Sequence, residues 1–328
     1  MGVRKHTAFF FTMIWVLEEK VQLSFVKGVD GNNILTDTTG IDAHYPVPAG
    51  ISTGHVLFDY IGSNGVNITF DDIPVNTSTN ITYVLGLSFA IDMDNTGATQ
   101  NGNFQMHLSP SLTPAAAQSW RARYPNSRIS IAIGGSVYYD AKGGEHPVNW
   151  YDPADELQWL ANAIKSLTSI VQAYGADGID IDIERFPNGS ASFVPLIGCL
   201  VTTLKESGVI QFASFAPGFD QLDLYSQLYN AHPDDFDLLN YQFYGEGLNT
   251  SAKYLARYKQ VIAKLPANKI GPSTQVDLDP NTITGPEFYQ TVEKIRDSYG
   301  IAGVVLWNAD LSKQKDNFQT ERNISGFL

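Results

Sequence analysis

A single cysteine, Cys199, stands in a chain of 328 residues, so no internal disulfide can form. It lies in the apolar helical stretch 193–204 and is read as a small buried hydrophobe. Basic residues are also scarce: 21 Lys and Arg stand against 34 Asp and Glu, a net charge of −13. The average field of such a chain repels nucleic acid and anionic membrane surfaces and suits a neutral or weakly cationic ligand. The six histidines are scattered without metal-ligand spacing. No phosphate-binding glycine loop, nucleophile elbow or nucleotide fingerprint is present. Asp92-Met93-Asp94-Asn95 begins like a calcium loop but lacks the turn glycine and the distal glutamate, and is read as an ordinary acidic loop. No metal and no cofactor are expected.

Apolar runs long enough to cross a membrane are missing as well. The apolar stretch from Ala8 to Leu17 is about ten residues, short for a span. Preceded by Arg4, Lys5 and His6, it has the order of a signal peptide, read over 1–17. Glu18-Glu19-Lys20 occupies the place of small cleavage-site residues, so cleavage is displaced or the segment is retained. Six Asn-x-Ser/Thr sequons, at Asn67, Asn76, Asn80, Asn188, Asn249 and Asn323, favour a secreted or vacuolar protein. Residues 18–52 are rich in Gly, Asp, Thr and Pro without a sustained period, and are expected to form a weakly structured leader.

What is abundant is alternation of two kinds. Strands are predicted at 55–61, 83–91, 128–134, 178–184, 209–216, 236–244, 269–276 and 303–308. Helices are predicted between most of them, at 114–123, 155–174, 192–206, 222–230, 252–265 and 287–299. Leu157, Leu160, Ile164, Leu167, Ile170 and Val171 have helical spacing and are read as core. Eight strand–helix units predict one α/β domain over 53–328, a (β/α)8 TIM barrel with its active residues at the C-terminal strand ends.

The most specific stretch is Asp177-Gly-Ile-Asp-Ile-Asp-Ile-Glu184. Its period of two puts Ile179, Ile181 and Ile183 on one face of a strand and Asp180, Asp182 and Glu184 on the other, with successive carboxyls roughly 6.6 Å apart. Three acids on one face repel one another and lose hydration, so at neutral pH at least one holds a proton and the three titrate as a set.

This stretch resembles the D-G-x-D-x-D-x-E signature of glycoside hydrolase family 18, the chitinases. The resemblance continues through 57–64, Ser88-Phe89-Ala90, Gly134-Gly135, 212–217, 240–244 and 303–307, and covers about residues 55–310. Within the family the chain is most similar to the cysteine-poor plant branch of bulb-type chitinases and narbonin. The resemblance implies hydrolysis of β-1,4-linked N-acetylglucosamine polymers or oligomers by a monomeric enzyme. Glu184 is then the general acid and base. Asp182 orients the substrate acetamido group, which is itself the nucleophile, and Asp180 shares a proton with Asp182. Tyr244 bonds the acetamido carbonyl, and Trp307 forms the floor beneath the reacting sugar. Parity puts Asn240, Gln242 and Tyr244 on one face, with Tyr241 and Phe243 toward helices. Tyr60 resembles a second tyrosine near the acetamido pocket, and Tyr60, Gln242 and Asn240 are expected to contact substrate.

One position departs from the family pattern. Active members carry a serine two residues before the Gly-Gly pair, where its hydroxyl helps hold the deep aspartate; this chain has Ala132. Asp180 is therefore expected to lose a partner. Two function classes follow: an endo-acting chitinase, or a non-catalytic barrel such as a chitin-binding lectin or a seed storage protein of the narbonin type.

Overall fold

The computed structural model describes residues 55–63, 65–139, 143–276 and 281–328. The signal-peptide and leader readings for 1–17 and 18–52 lie outside the described residues. Eight parallel strands form the centre: β1 (Val56–Ile61), β2 (Thr82–Ile91), β4 (Arg128–Gly135), β7 (Gly178–Ile183), β8 (Phe212–Phe215), β9 (Leu238–Leu239), β10 (Ser273–Gln275) and β11 (Gly303–Trp307). They run in the order β10-β11-β1-β2-β4-β7-β8-β9. A parallel bridge between Leu239 and Ile270 joins the two ends and closes the barrel. All eight predicted strands are present, with β2 beginning one residue before and β4 ending one residue beyond its expected range. The largest shortfall is β9, where only Leu238 and Leu239 join the ladder out of the expected 236–244.

Helices cover the outside: α1 (Pro114–Arg123), α2 (Glu156–Tyr174), α3 (Phe193–Glu206), α4 (Leu222–Ala231), α5 (Ser251–Ile262) and α6 (Gly285–Tyr299). Their ends follow local chemistry. Thr113 accepts from the Ala116 amide ahead of Pro114, and Asp155 caps α2 by accepting from the Gln158 amide. Gly175 ends α2 in the left-handed conformation at φ 59°. The α2 core face is narrower than the apolar pattern predicts. Leu160, Ile164, Leu167 and Val171 are buried, but Leu157 is 38% exposed and Ile170 only half-buried, while Trp159, Ala163 and Tyr174 complete the buried stripe. Cys199 on α3 is also only half-buried.

Several elements carry no strong sequence period. A short strand β3 (Gln105–Met106) pairs with β2, and β5 (Val137–Tyr139) with β6 (Glu145–Pro147) forms a hairpin directly after β4. Two final helices, α7 (Ala309–Lys315) and α8 (Gln319–Phe327), pack against β1. There Asp59, pointing out of the barrel, is fully buried against Glu321 and Asp310.

Inside the barrel, Val56, Phe58, Val84, Phe212, Leu238 and Val305 fill the lower levels. Gly178 is required at this level, because a Cβ there would lie 2.6 Å from the Phe212 ring. Burial of each large aliphatic or aromatic side chain contributes about 1.5–3 kcal/mol, so this interior is a rigid floor for what stands above it.

Candidate active site

β7 is an interior strand between β4 and β8, and every one of its residues is buried. Ile179, Ile181 and Ile183 face the helices, while Asp180 and Asp182 face the barrel axis, as the period of two predicts. Asp177, which opens the motif, lies at the other end of the strand. It pairs with Arg121 and accepts from the Ile129 amide at 2.8 Å, an anchor remote from the acids above it.

Asp180 is the deepest of the three acids in this ladder, with no exposed surface. Its Oδ2 accepts from the Tyr60 hydroxyl at 2.8 Å. Its Oδ1 accepts from Ser214 Oγ at 2.5 Å and from Asn240 Nδ2 at 3.2 Å. Burial pushes this carboxyl up to about 6, against the three donors, which pull it down. Tyr60 is 1% exposed and Asn240 2% exposed, and both donate to Asp180. Burial, with the charges of Asp180 and Asp182, holds the Tyr60 phenol well above its ordinary range, so it stays a donor.

Asp182 stands one level higher. Gln242 Nε2 donates to its Oδ1 at 3.0 Å, to Glu184 Oε1 at 3.4 Å and to the Ala216 carbonyl at 3.0 Å. Burial, then the charges of Glu184 and Asp180, hold Asp182 well above the usual carboxylate range. β4 approaches closely at this level: Gly134 has φ +109°, and a Cβ there would lie 2.5 Å from the Asp182 carbonyl oxygen.

Glu184 is half-buried just beyond the end of β7. Burial raises its carboxyl, partly offset by the Gln242 hydrogen bond and the Arg185 charge. Its backbone is fixed from outside. Tyr225 on α4 exchanges hydrogen bonds of 2.9 Å with both the amide and the carbonyl of Ile183. Gln221 Nε2 donates to the Glu184 carbonyl at 2.8 Å, and the Trp150 amide donates to the Arg185 carbonyl at 2.8 Å. The carboxyl is thus held at the mouth by a rigid main chain.

Tyr244 is half-buried and faces the same acids: burial first, then the charges of Asp182, Glu184 and Asp180, raise its phenol well above the ordinary value. The parity expected for this segment is present. Asn240 and Gln242 reach the carboxylates, while Phe243 stacks on Tyr254 of α5 with ring centroids 4.8 Å apart. Tyr241 turns outward to Glu246 at 2.6 Å. Trp307 closes the far side, its ring centroid 5.4 Å from Tyr60 and 6.0 Å from Phe89, nearly parallel to the latter. Beyond Phe89 a cleft of about 460 Å³ opens, lined also by His107, Tyr138 and Tyr139.

Two features were not foreseen. Phe89 extends the apolar floor, and Ser214 supplies Asp180 with the hydroxyl that Ala132 lacks. Ala132 and Ser214 are the lateral neighbours of Asp180 on β4 and β8. The acidic loop at Asp92 and Asp94 is an N–H-satisfied turn. Asp92 Oδ2 accepts from the Gly102 amide and Trp159 Nε1, and Asp94 Oδ1 from the amides of Thr96 and Ala98. Among the described residues no cluster of His, Cys, Asp and Glu has metal-binding geometry.

Residues 55–282 match the model of the glycosyl hydrolases family 18. The chain is 28% identical over 284 residues to Chitinase 1 of Tulipa saxatilis subsp. bakeri, covering 85% of this chain and 88% of that protein. It is 30% identical over 162 residues to a RuBisCO-associated protein of Glycine max, covering 48% and 56% respectively. Among solved structures it resembles the catalytic domain of a family GH18 chitinase from the fern Peteris ryukyuensis. That likeness has a TM-score of 0.76 and 30% identity, over 83% of this chain and 98% of the fern domain.

Proposed function

The chain belongs to glycosyl hydrolases family 18, and from that premise we infer that it is a chitinase hydrolysing β-1,4-linked N-acetylglucosamine chains by a substrate-assisted, retaining route. The observation that carries this reading is the ladder of Asp180, Asp182 and Glu184 rising to the barrel mouth, tied by Gln242 and flanked by Trp307.

The residues divide the work by depth. Glu184, its carboxyl raised by burial, begins protonated and gives its proton to the glycosidic oxygen as the bond to the anomeric carbon breaks. The substrate's acetamido carbonyl oxygen closes onto that carbon from the opposite face, giving an oxazolinium ion. Asp182 accepts from the acetamido N–H, the single negative charge of the Asp180–Asp182 pair balances the positive ion, and Tyr244 donates to the acetamido oxygen. Water then attacks the anomeric carbon as the acetamido oxygen leaves it, and the Glu184 carboxylate takes the water's proton, so the configuration is retained. Asp180 and Asp182 share one proton through this cycle, and Asp180 carries most of the negative charge because three donors face it.

Trp307 offers an aromatic face to the C–H side of the reacting sugar, and the cleft beyond Phe89 has room for further units. The exposed positions of all six sequon asparagines fit a secreted or vacuolar location. A second reading, a non-catalytic barrel that binds chitin or serves as a seed store, is favoured by Ala132 and by the partial likeness to a protein named as RuBisCO-associated rather than as a hydrolase. An assay of a soluble chitin oligomer separates the two: shorter oligomers must accumulate with time, and binding without cleavage would favour the second reading.

A further inference from the structure

We propose that Ser214 is the positioning residue that takes over, from the opposite neighbouring strand, the task of the hydroxyl absent at Ala132, and so holds Asp180 in its charged, hydrogen-bonded form. This role rests on the proposed hydrolysis, but the contact itself does not. Ala132 of β4 and Ser214 of β8 are the direct register partners of Asp180 on its two sides. A hydroxyl from either strand can reach the same carboxylate without moving the backbone. Ala132 is fully buried and offers only a methyl group. Ser214 is equally buried, and its Oγ is 2.5 Å from Asp180 Oδ1.

A buried serine with no acceptor costs free energy, and a buried carboxylate without donors costs more, so this contact satisfies both groups. Asp180 thus keeps donors from three strand ends: Tyr60 on β1, Ser214 on β8 and Asn240 just past β9. The consequence for turnover runs through Asp182. With its hydroxyl donor, Asp180 remains the ionised partner, and the shared proton stays available to Asp182. Without it, Asp180 competes for that proton.

The other groups facing Asp180 are neutral donors, acids or apolar side chains. β4 presents Ala132, β1 presents Tyr60, and β7 itself carries Asp182 and Glu184. The segment after β9 brings Asn240 and Tyr244, and from outside α4 brings Tyr225, whose hydroxyl is engaged with Ile183. None of these is a cation. Neutral donors alone stabilise the charge.

The test compares wild type, Ser214→Ala, Ala132→Ser and the double variant. Ser214→Ala is expected to lower kcat about tenfold, with KM little changed, and to move the acid limb of the kcat profile upward by about one pH unit. Ala132→Ser in the Ser214→Ala background returns both to near wild type, whereas Ala132→Ser alone changes little because Asp180 already has its donors. In protein carrying carbon-13-labelled aspartate, the titration midpoint of Asp180 rises in Ser214→Ala and falls back in the double variant. Thermal melts of all four exclude misfolding as the cause. An unmoved Asp180 midpoint in Ser214→Ala, or a loss of kcat that the double variant does not recover while melting like wild type, overturns the role. A wild type without turnover removes the proposed hydrolysis instead, and the titration then decides the Ser214 contact by itself.

Discussion

Gln242 donates through one side-chain nitrogen to Asp182 at 3.0 Å and to Glu184 at 3.4 Å, so a single neutral amide holds the two upper carboxyls in a fixed relation. Both carboxyls are raised by burial, and Asp182 is raised further by the neighbouring charges. Gln242→Leu removes their shared donor and leaves them unsatisfied. A hydrogen bond to a charged group contributes about 1.5–3 kcal/mol, so kcat is expected to fall about 10- to 100-fold. Steady-state kinetics on a soluble oligomer check this; an unchanged kcat would separate Gln242 from the reacting groups.

Glu184→Gln keeps the shape of the side chain but removes its titratable proton. Hydrolysis is expected to drop at least about a hundredfold, while oligomer binding and the melting temperature stay near wild type. Calorimetric titration alongside the rate assay separates the two effects. Comparable turnover in the variant would remove Glu184 from the role of general acid.

Substrate assistance makes a demand on the ligand rather than on the protein. An oligomer lacking the acetyl group on the reacting sugar is expected to resist cleavage at that bond, and a thiazoline mimic of the cyclic intermediate is expected to inhibit. Equal rates on fully deacetylated and fully acetylated chains would exclude the acetamido nucleophile.

Trp307→Ala removes the aromatic face beside Tyr60 and Phe89. Loss of such a stacking surface costs about 0.5–1.5 kcal/mol beyond the buried area, so KM is expected to rise several-fold or more. A KM at the wild-type value would mean that the sugar does not rest on this ring.

Much of this was legible from the chain, and the boundary has a physical origin. Alternation along one strand is local, so the acid ladder on β7 and the shared face of Asn240 and Gln242 could be read from parity alone. Register between strands is not local. Ser214 sits in an unremarkable Ala-Ser-Phe stretch, and its meaning depends on lying opposite Asp180. The same limit explains Tyr60 and Asn240. Parity puts both inside the barrel, but only the stacking of strand levels reveals that both donate to Asp180. β9 is shorter than its sequence pattern because the polar alternation through Gln242 and Tyr244 persists after the chain has left the ladder. On α2, apolar spacing alone gave Leu157 and Ile170 to the core, although the helix turns its Trp159 and Ala163 flank inward.

A second pair of buried acids predicts how stability varies with pH. Asp59 on β1 and Glu321 on α8 are both fully buried, and burial raises both, Glu321 to about 7. Their folded values exceed their unfolded ones, and the stabilising contribution of Glu321 is complete below about 4.5 and is lost as the pH rises through about 7. The melting temperature is expected to fall across that window, and Glu321→Gln, which cannot ionise, is expected to flatten the decline. A wild-type melting temperature that climbs between those limits would mean that Glu321 does not hold its proton in the folded state.

The most direct measurement is a proton magnetic resonance time course of a soluble N-acetylglucosamine oligomer with the wild-type protein, recorded faster than the new reducing ends interconvert. The account predicts cleavage, with the β anomer of the new reducing end appearing first, because the acetamido oxygen and then water approach the anomeric carbon from opposite faces. Initial release of the α anomer, or an oligomer that binds and remains intact, would contradict it.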